Sequence, residues 1–389
     1  MTTWARARRL LCVRLDNMGD VLMTTPAMQA LAEAVPGRRL TLLTSSASAR
    51  LAPHLPMVSD VIGWDAPWVR HAESPGPEES ARRLRACAAQ LAAGRFDAAV
   101  IFTVYSQSAL PAAMLCVLAG IPLRLAHCRE NPYALLSDWA PETDPGGRPR
   151  HEAQRQLDLV AQVGAHTSDR RLRFAVRDAD RAELSARGLQ AAGKARIVVH
   201  PGATAPSRRW PAEHFAAVAG QLARETGATV FVTGSEAERE VVEDVCRNAG
   251  SSGVVPLAGV LPLGEFAALL ESADLLVSNN SGPVHIAAAL GTPVVDLYAL
   301  TNPQHTPWQV PHHTLFQDVP CRYCYKSTCP QGHHRCLRGV GPQAVVAAAL
   351  ALLGGDSPAE SPMPWPQDPV PDSQPVSTVE ERTHVYAWH

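Results

Sequence analysis

Short apolar segments alternate with longer amphipathic segments along the chain. Segments 10–15 and 40–44 are rich in leucine and β-branched residues, and the segment between them, 21–33, has a helix-like pattern. This alternation is typical of βαβ units, in which helices cover a parallel sheet. A second series with the same alternation runs through 197–298. The pattern therefore predicts an α/β protein with two doubly wound, Rossmann-like parallel sheets.

The length of 389 residues also favours two domains over one. We place an N-terminal domain at 1–175 and a C-terminal domain at 176–341, because the charged segment around 168–193 separates the two apolar series. Segment 342–355 is a helix that is apolar on most faces, so it should pack on another element. Proline, serine and acidic residues dominate 356–389, which predicts a disordered tail.

Charge and hydropathy exclude several classes of protein. The chain has 35 Lys and Arg against 37 Asp and Glu, so it lacks the basic excess of a nucleic-acid-binding protein. No segment approaches the roughly 18 uninterrupted apolar residues of a membrane span, and the apolar segment 10–13 is too short for a signal peptide. We expect a cytoplasmic protein whose contact with the membrane is at most peripheral.

The first candidate for chemistry is the turn after the first predicted strand, in the sequence VRLDNMGDVL at 13–22. Ligands of parallel α/β sheets bind beyond the carboxyl ends of the strands, which is where this turn lies. Asp20 stands at the start of the following helix. It is a candidate functional carboxylate, or it caps the helix by accepting hydrogen bonds from first-turn amides.

Three further strand ends in the second half favour a phosphate-containing ligand. Segment 200–211, HPGATAPSRRWP, offers the hydroxyl of Thr204 and the cation of Arg208 to a diphosphate, although a solvated charge pair beside a packed tryptophan is the alternative. The turn 279–282 opens a helix whose first amides favour anions. Glu236 follows another strand end and suits the paired hydroxyls of a ribose, unless it is an ordinary surface carboxylate.

Together these segments resemble glycosyltransferase family 9, the ADP-heptose:lipopolysaccharide heptosyltransferases and their relatives. The resemblance covers about 10–353 and depends on RLDNMGDVLMTTPAMQAL, HPGATAPSRRWPAEHF, VTGSEAE, SNNSGPVHIAAALGTPVV and TNPQHTPW. It implies a GT-B fold of two facing Rossmann-like domains, with the acceptor on the first domain and the nucleotide sugar on the second. It also implies that helix 342–355 returns to the N-terminal domain.

The implied activity is inverting transfer of a heptose or related sugar from an ADP-sugar to a lipopolysaccharide-core or similar glycan acceptor, with no cofactor required for catalysis. Asp20 is the implied base, and the implied acceptor side is formed by Asn17, Met18 and Gly19. The implied donor-binding residues are Thr204, Arg208, Glu236, Asn280, Ser281, Gly282 and His285. Asn280 departs from the family pattern, which has an aspartate at this position, so the sugar is less well defined than the reaction.

Other functions stay open. The chain could use another nucleotide sugar or a protein acceptor, or bind a nucleotide sugar without turning it over. An epimerase of the same fold would need its base on the donor side. A dehydrogenase is disfavoured because neither half has the G-x-G-x-x-G sequence of dinucleotide sites.

Four of the nine cysteines are concentrated within sixteen positions, at Cys321, Cys324, Cys329 and Cys336. This spacing suits tetrahedral thiolate ligation of a structural zinc or iron ion, with reduced thiols or disulfides as the alternative. The other five cysteines lie in apolar segments and are expected to be reduced core thiols.

Overall fold

The computed structural model describes residues 3–69, 76–142, 150–189 and 195–355 and contains two six-stranded sheets, both parallel throughout. The strands of the N-terminal sheet are β1 (Arg9–Arg14), β2 (Arg39–Thr44), β3 (Asp60–Gly63), β4 (Ala98–Ile101), β5 (Leu123–Cys128) and β6 (Asp138–Pro141). Those of the C-terminal sheet are β7 (Arg196–His200), β8 (Thr229–Gly234), β9 (Val254–Ala258), β10 (Leu275–Asn279), β11 (Val294–Leu297) and β12 (His312–Leu315).

Eleven α-helices lie in the described segments, and most of them connect consecutive strands. They are α1 (Met18–Ala34), α2 (Pro77–Ala93), α3 (Leu110–Leu118), α4 (Glu152–Ala161), α5 (Asp178–Ala186), α6 (Ala212–Thr226), α7 (Arg239–Asn248), α8 (Leu263–Glu271), α9 (Gly282–Leu290), α10 (Arg335–Arg338) and α11 (Pro342–Leu353). The predicted architecture of two doubly wound parallel sheets is confirmed.

The two sheets have the same strand order. The first runs β3-β2-β1-β4-β5-β6, and the second, counted from its own first strand, repeats that order. In each sheet the order reverses once, between β1 and β4 and between β7 and β10. Ligands of open parallel sheets bind beside such switch points, at the carboxyl ends of the strands. The topology therefore marks the loops after β1, β4, β7 and β10 as the place for a site.

One apolar cluster spans the two units. Leu31 of α1 and Val160 of α4 belong to the same buried cluster as Val284 and Ala287 of α9, and α1 lies directly against α9. Burial of such apolar surface is the main favourable term in folding and association. The packing of α1 on α9 therefore fixes the carboxyl ends of the two sheets on either side of a cleft, which we call the interdomain cleft.

The last helix corrects one expectation. The prediction that segment 342–355 returns to the N-terminal domain is wrong, because α11 packs on α6, β10, β11 and β12 of the C-terminal unit. Its buried residues Val345 and Ala349 belong to the core cluster that contains Phe215 of α6. The helix has twelve residues and follows the connection 316–341, and its apolar face completes the layer over its own sheet. The helix that covers α1 is α4.

The described helices include none that is both long and apolar enough to cross a bilayer. The predicted disordered tail, 356–389, lies outside the described residues. Between the units, α4 packs on α1 while α5 packs on α8 of the second unit, so the chain passes from one unit to the other between these two helices.

Candidate active site

A fully buried arginine organises the N-terminal side of the interdomain cleft. Arg14 is the last residue of β1, and its guanidinium lies among three carboxylates. Nη1 is 2.9 Å from Oε1 of Glu152, Nε is 3.0 Å from Oδ2 of Asp16, and Nη2 is 3.5 Å from Oδ1 of Asp20. A buried charge is tolerated only when it is paired, so these contacts hold the β1 loop and the start of α4 together.

Glu152 carries much of this charge balance. Burial acts to raise the pKa of its carboxyl, but Arg155 and Arg14 outweigh burial and hold the pKa at about 2. Gln156 also donates to Oε1 at 2.8 Å. Glu152 is therefore ionised and stays fixed as the partner of Arg14.

Asp20 occupies the third position of α1 and does two things. Its Oδ2 accepts a hydrogen bond from the Asn17 amide at 3.3 Å, as in a capping box, while Oδ1 faces Arg14. The capping alternative from the sequence is thus part of the geometry and does not exclude a chemical role. Burial raises the pKa of Asp20, opposed by Arg14 and supported by Glu152, and the net pKa is above its ordinary value. A carboxylate with a raised pKa is a stronger base, which suits proton abstraction.

Gly19 brings the two units into direct contact beside Asp20. A Cβ at Gly19 would lie 2.7 Å from Cδ2 of His285 on α9, closer than non-bonded atoms approach. His285 is buried, and burial lowers its pKa well below the ordinary histidine value, with further lowering by His305, His151 and Arg208. The ring is therefore neutral and packs against the turn formed by Met18, Gly19 and Asp20. In the same turn region Asn17 is exposed and Met18 is half-buried.

Arg208 faces Asp20 from the other side of the cleft. It lies in a short 3₁₀ turn after β7, and its guanidinium forms no hydrogen bond or ion pair with the described residues. Its positive charge is close enough to lower the pKa of Asp20, and it also acts to lower the pKa of Asp296 and of His305. An unpaired guanidinium in this position is available for an anionic ligand.

The side chain of Asn279 fixes the loop that carries Arg208. Its Nδ2 donates to the Pro201 carbonyl at 2.7 Å, and its Oδ1 accepts from the Trp210 amide at 3.0 Å. Arg209 supports the same loop by donating from Nε to the Ala203 carbonyl at 2.7 Å. The two loops of the second switch point are thereby joined. Arg209 is exposed but holds the loop through its hydrogen bond, and Arg208 is half-buried and faces the cleft.

The start of α9 contributes amides to the same place. Ser281 and Gly282 are half-buried at the N-terminus of this nine-residue helix, where free amides and the helix dipole favour an anion. Asn280 is buried directly before them and donates from Nδ2 to Oδ2 of Asp296 and to the His305 carbonyl, both at 2.9 Å. Thr204 is exposed on the β7 loop.

Segment 301–308 joins the two halves of the site. The Glu152 amide donates to the Gln304 carbonyl at 2.9 Å, and the Nε2 of His151 lies 2.8 Å from the Thr306 carbonyl. The His151 ring stacks on Trp308 with 4.4 Å between ring centroids. The TNPQHTPW sequence therefore holds the start of α4, where the partner of Arg14 is located.

A cavity of about 860 Å³ opens on the far side of the β7 loop. Asp20 and Arg208 do not line this cavity, so the cavity is separate from the centre of the interdomain cleft. Its wall includes Pro201, Gly202 and Ala203 of the loop that follows β7. Glu238 forms part of its wall, accepts hydrogen bonds through Oε2 from the Ser235 amide and hydroxyl at 2.8 Å, and lies directly against Gly202. Glu236 does not line it: its side chain is 70% exposed and pairs with Arg239.

The predicted metal site is not supported by the structure. All four cysteines lie in described segments as free, half-buried thiols, and those segments contain no group of three or more His, Cys, Asp or Glu residues arranged to hold a metal. The Cys-rich segment, 321–336, instead supports the Arg208 turn. Ser207 donates from its amide to the Ser327 carbonyl at 3.0 Å and from its hydroxyl to the Lys326 carbonyl at 2.9 Å.

The predicted site residues did not include five charged residues of the site: Arg14, Asp16, Glu152, Glu238 and Asp296. Two of them left a signal in the sequence, because Arg14 at the end of β1 and Asp296 within β11 are charged residues with an apolar neighbour on each side. Such a charge has to find a buried partner. Nothing local distinguishes Glu152 or Glu238 from surface glutamates.

Comparison with known proteins gives a consistent result. The model of glycosyltransferase family 9 (heptosyltransferase) matches residues 84–334. The chain is 30% identical over 166 residues to lipooligosaccharide heptosyltransferase 2 of Campylobacter jejuni, an alignment that covers 41% of this chain and 52% of that protein. It is 26% identical over 371 residues to lipopolysaccharide heptosyltransferase 1 of Pseudomonas aeruginosa, covering 89% of this chain and 98% of that one.

The fold also matches solved structures. The glycosyl transferase family 9 structure from Veillonella parvula superposes with a TM-score of 0.76 at 23% identity, covering 91% of this chain and 99% of that one. The implied GT-B fold is therefore confirmed. The chain spans about half the length of the first curated relatives that it matches.

The contact between Gly19 and His285 can be tested by adding one methyl group. Gly19→Ala should lower the free energy of unfolding by about 1–3 kcal/mol, because the buried imidazole has little space to move away from the new Cβ. Urea unfolding measures this loss. Gly76→Ala is the matched control, since no atom of the described segments lies within 4 Å of a Cβ there. Equal stability of the two variants would show that α1 and α9 are not in contact.

Proposed function

Because the chain belongs to glycosyltransferase family 9, we propose that it is an inverting glycosyltransferase that moves a heptose from ADP-heptose to a lipopolysaccharide-core or similar glycan acceptor. The Campylobacter and Pseudomonas relatives are named as heptosyltransferases of lipooligosaccharide and lipopolysaccharide, which supports this choice of sugar and acceptor.

One observation carries the proposal. A buried carboxylate with a raised pKa, Asp20 on the first unit, faces Arg208 on the second unit, next to the start of α9. Within the described part of the chain the Arg208 guanidinium has no hydrogen-bond or ion-pair partner. Glycosyl transfer needs a base for the acceptor hydroxyl and positive charge for the departing diphosphate, and the cleft supplies them on opposite walls.

In this reaction Asp20 takes the proton of the acceptor hydroxyl as that oxygen attacks the anomeric carbon, and the bond from that carbon to the diphosphate breaks. Arg208 and the amides of Ser281 and Gly282 receive the negative charge that develops on the diphosphate. We propose that these groups are sufficient without a metal or other cofactor. The Gly19 turn, with Asn17 and Met18, lies on the acceptor side.

We assign the ribose of the donor to Glu238 rather than to Glu236, the residue predicted from the sequence. Glu238 lines the cavity beside the β7 loop, and one of its oxygens is held by Ser235 while the other lies against Gly202. Glu236 is engaged by Arg239 on the surface. A carboxylate at a strand end that is fixed through one oxygen is well placed to accept hydrogen bonds from two hydroxyls with the other.

Replacement of Asp20 tests the base directly. Asp20→Asn should lower kcat by about 10²–10⁴-fold, because the amide cannot accept the proton. Affinity for ADP should change little, since the amide oxygen can still accept the hydrogen bond from Asn17 and maintain the helix start. Turnover of ADP-heptose and calorimetric titration of ADP measure the two effects. Glu33→Gln, which removes an exposed carboxylate from the same helix, is the control, and wild-type kcat in Asp20→Asn excludes this mechanism.

The pH profile gives an independent test. The base must be ionised, so kcat/KM should fall as the pH drops through the raised pKa of Asp20, at a higher pH than for an ordinary aspartate. Burial also raises the pKa of neighbouring Asp16 to about 6. Measuring the profile for Asp16→Asn separates the two carboxyls, because a limb that belongs to Asp20 persists in this variant. A limb at the ordinary aspartate pKa contradicts the assignment.

We further propose that the enzyme contacts the cytoplasmic face of the membrane through an apolar surface next to the acceptor side. Helix α3 has no charged residue, and Met114, Val117 and Leu118 on its outer side are exposed, Leu118 by 66%. The loop before this helix contacts the site, since Nε2 of Gln107 donates to Oδ1 of Asp16 at 2.5 Å.

Two aromatic residues extend this surface. Arg124 donates to the carbonyls of Pro122 and Ala134 and so holds Tyr133, which is 82% exposed, next to the end of α3. Trp139 of the edge strand β6 is exposed on the side of the sheet that α3 covers. Tyrosine and tryptophan next to aliphatic side chains are typical of membrane interfaces. The proposed acceptor is attached to lipid, which makes a bilayer the fitting partner.

Vesicle binding tests this surface. The double variant Met114→Glu/Leu118→Glu should lose at least about tenfold in sedimentation with vesicles of phosphatidylethanolamine and phosphatidylglycerol, because two exposed apolar side chains can no longer be buried. Val260→Glu removes an exposed apolar residue of the other unit and should retain binding. Equal binding by both variants contradicts the proposal. A wild-type protein that is a dimer and a double variant that is a monomer also contradict it, because the surface would then serve self-association.

A further inference from the structure

Asp296 is a buried carboxyl that packing does not explain. It lies in the middle of β11, paired in register with Ser278 of β10, and its side chain is fully buried. One oxygen accepts the hydrogen bond from Asn280, and the other, Oδ1, has no hydrogen-bond partner among the residues that the structure describes. Burying a polar group without a partner is unfavourable, and an apolar residue would fill this strand position without that cost.

The contacts of Asn280 allow only one orientation of its amide. The atoms on one side are a carboxylate oxygen of Asp296 and the backbone carbonyl of His305, both of which are acceptors. Only the NH₂ group can face them, because turning the amide over would place its oxygen against two other oxygens. The carbonyl oxygen Oδ1 of Asn280 therefore points away from Asp296.

The fixed amide lies where the donor is proposed to bind. Asn280 directly precedes Ser281 and Gly282 at the start of α9, and Arg208 is close enough for its positive charge to interact with the Asp296 carboxyl. His305, whose carbonyl holds the amide, is itself fixed because its own amide donates to the Tyr298 hydroxyl at 3.2 Å. The pattern that this segment resembles has an aspartate in place of Asn280, and here the carboxyl stands one strand away.

Building on the proposed function, we propose that Asp296 is a positioning residue for the nucleotide sugar. It orients Asn280 so that the amide oxygen presents to the donor the acceptor that an aspartate would otherwise supply. Asn280 and Asp296 thus form a pair in which the amide and the carboxyl are exchangeable, provided that the residue at 296 keeps a side-chain group that can hydrogen-bond to residue 280 and that the two residues are not both carboxyls.

This requirement can be tested with a cycle of substitutions. Asp296→Ala removes the acceptor for the amide and should raise KM for the donor about tenfold or more with a smaller change in kcat. Asp296→Asn keeps an acceptor oxygen and should retain most of the wild-type KM. A purely structural role predicts that the two variants change stability but leave KM for the donor alone.

The exchange itself is the sharper test. Asn280→Asp places two carboxyls at a separation of about 2.9 Å and should lose activity by about tenfold or more, since like charges or a shared proton disturb the pair. Asn280→Asp/Asp296→Asn should recover about tenfold over that single variant, a coupling typical of residues in one hydrogen-bond network. Recovery is partial because the His305 carbonyl loses its donor. An Asn280→Asp variant as active as the double variant overturns the proposal.

Binding measurements separate this proposal from the function on which it depends. Calorimetric titrations with ADP and with ADP-heptose should show that Asp296→Ala weakens binding of the nucleotide sugar while leaving ADP affinity within about twofold of wild type. Equal loss for both ligands overturns the positioning role. A wild-type protein that neither binds nor consumes ADP-heptose refutes the proposed function instead. The two failures are distinguishable, because the second is seen in the wild-type protein without any variant.

Discussion

The ion pair between Arg14 and Glu152 is the interaction on which both halves of the site depend. It joins the end of β1 to the start of α4 in surroundings from which water is excluded, where loss of either partner would leave an uncompensated charge. Arg14 also faces Asp16 and Asp20, so it fixes the turn that carries the candidate base. The Glu152 amide in turn is bound by the Gln304 carbonyl of the second unit. A single buried charge pair therefore couples the geometry of Asp20 to the packing of one domain on the other.

The same contacts continue into the donor side. His305 follows Gln304 and offers its carbonyl to Asn280, and Asn280 reaches Asp296 in the adjacent strand. The sequence TNPQHTPW thus contacts the start of α4 on one side and Asn280 on the other. Its proline and glutamine would look like ordinary loop residues in isolation. Its value to the fold is that it supplies backbone carbonyls at two defined places, one for each wall of the cleft.

The sequence alone was sufficient for the architecture and for the loops of the site, because both depend on local patterns. Alternating apolar segments define parallel strands, and the switch points place 16–20, 201–209 and 279–282 at the cleft. The prediction for α11 failed because it came from the resemblance, whereas an apolar helix face does not specify its partner. The cysteine spacing suggested a metal, but spacing does not fix side-chain direction, and the described segment serves instead as a support for Ser207.

Long-range pairs such as Arg14 with Glu152 are separated by 138 positions and have no local signature, so only the folded structure identifies them. They also set the chemistry of the cleft. Arg208 is one of the groups that lower the pKa of Asp20. In the proposed reaction a diphosphate occupies that guanidinium and brings negative charge close to Asp20, which raises the pKa of the carboxyl further. Asp20 then becomes a stronger base when the donor is in place, so donor binding on one wall prepares proton transfer on the other.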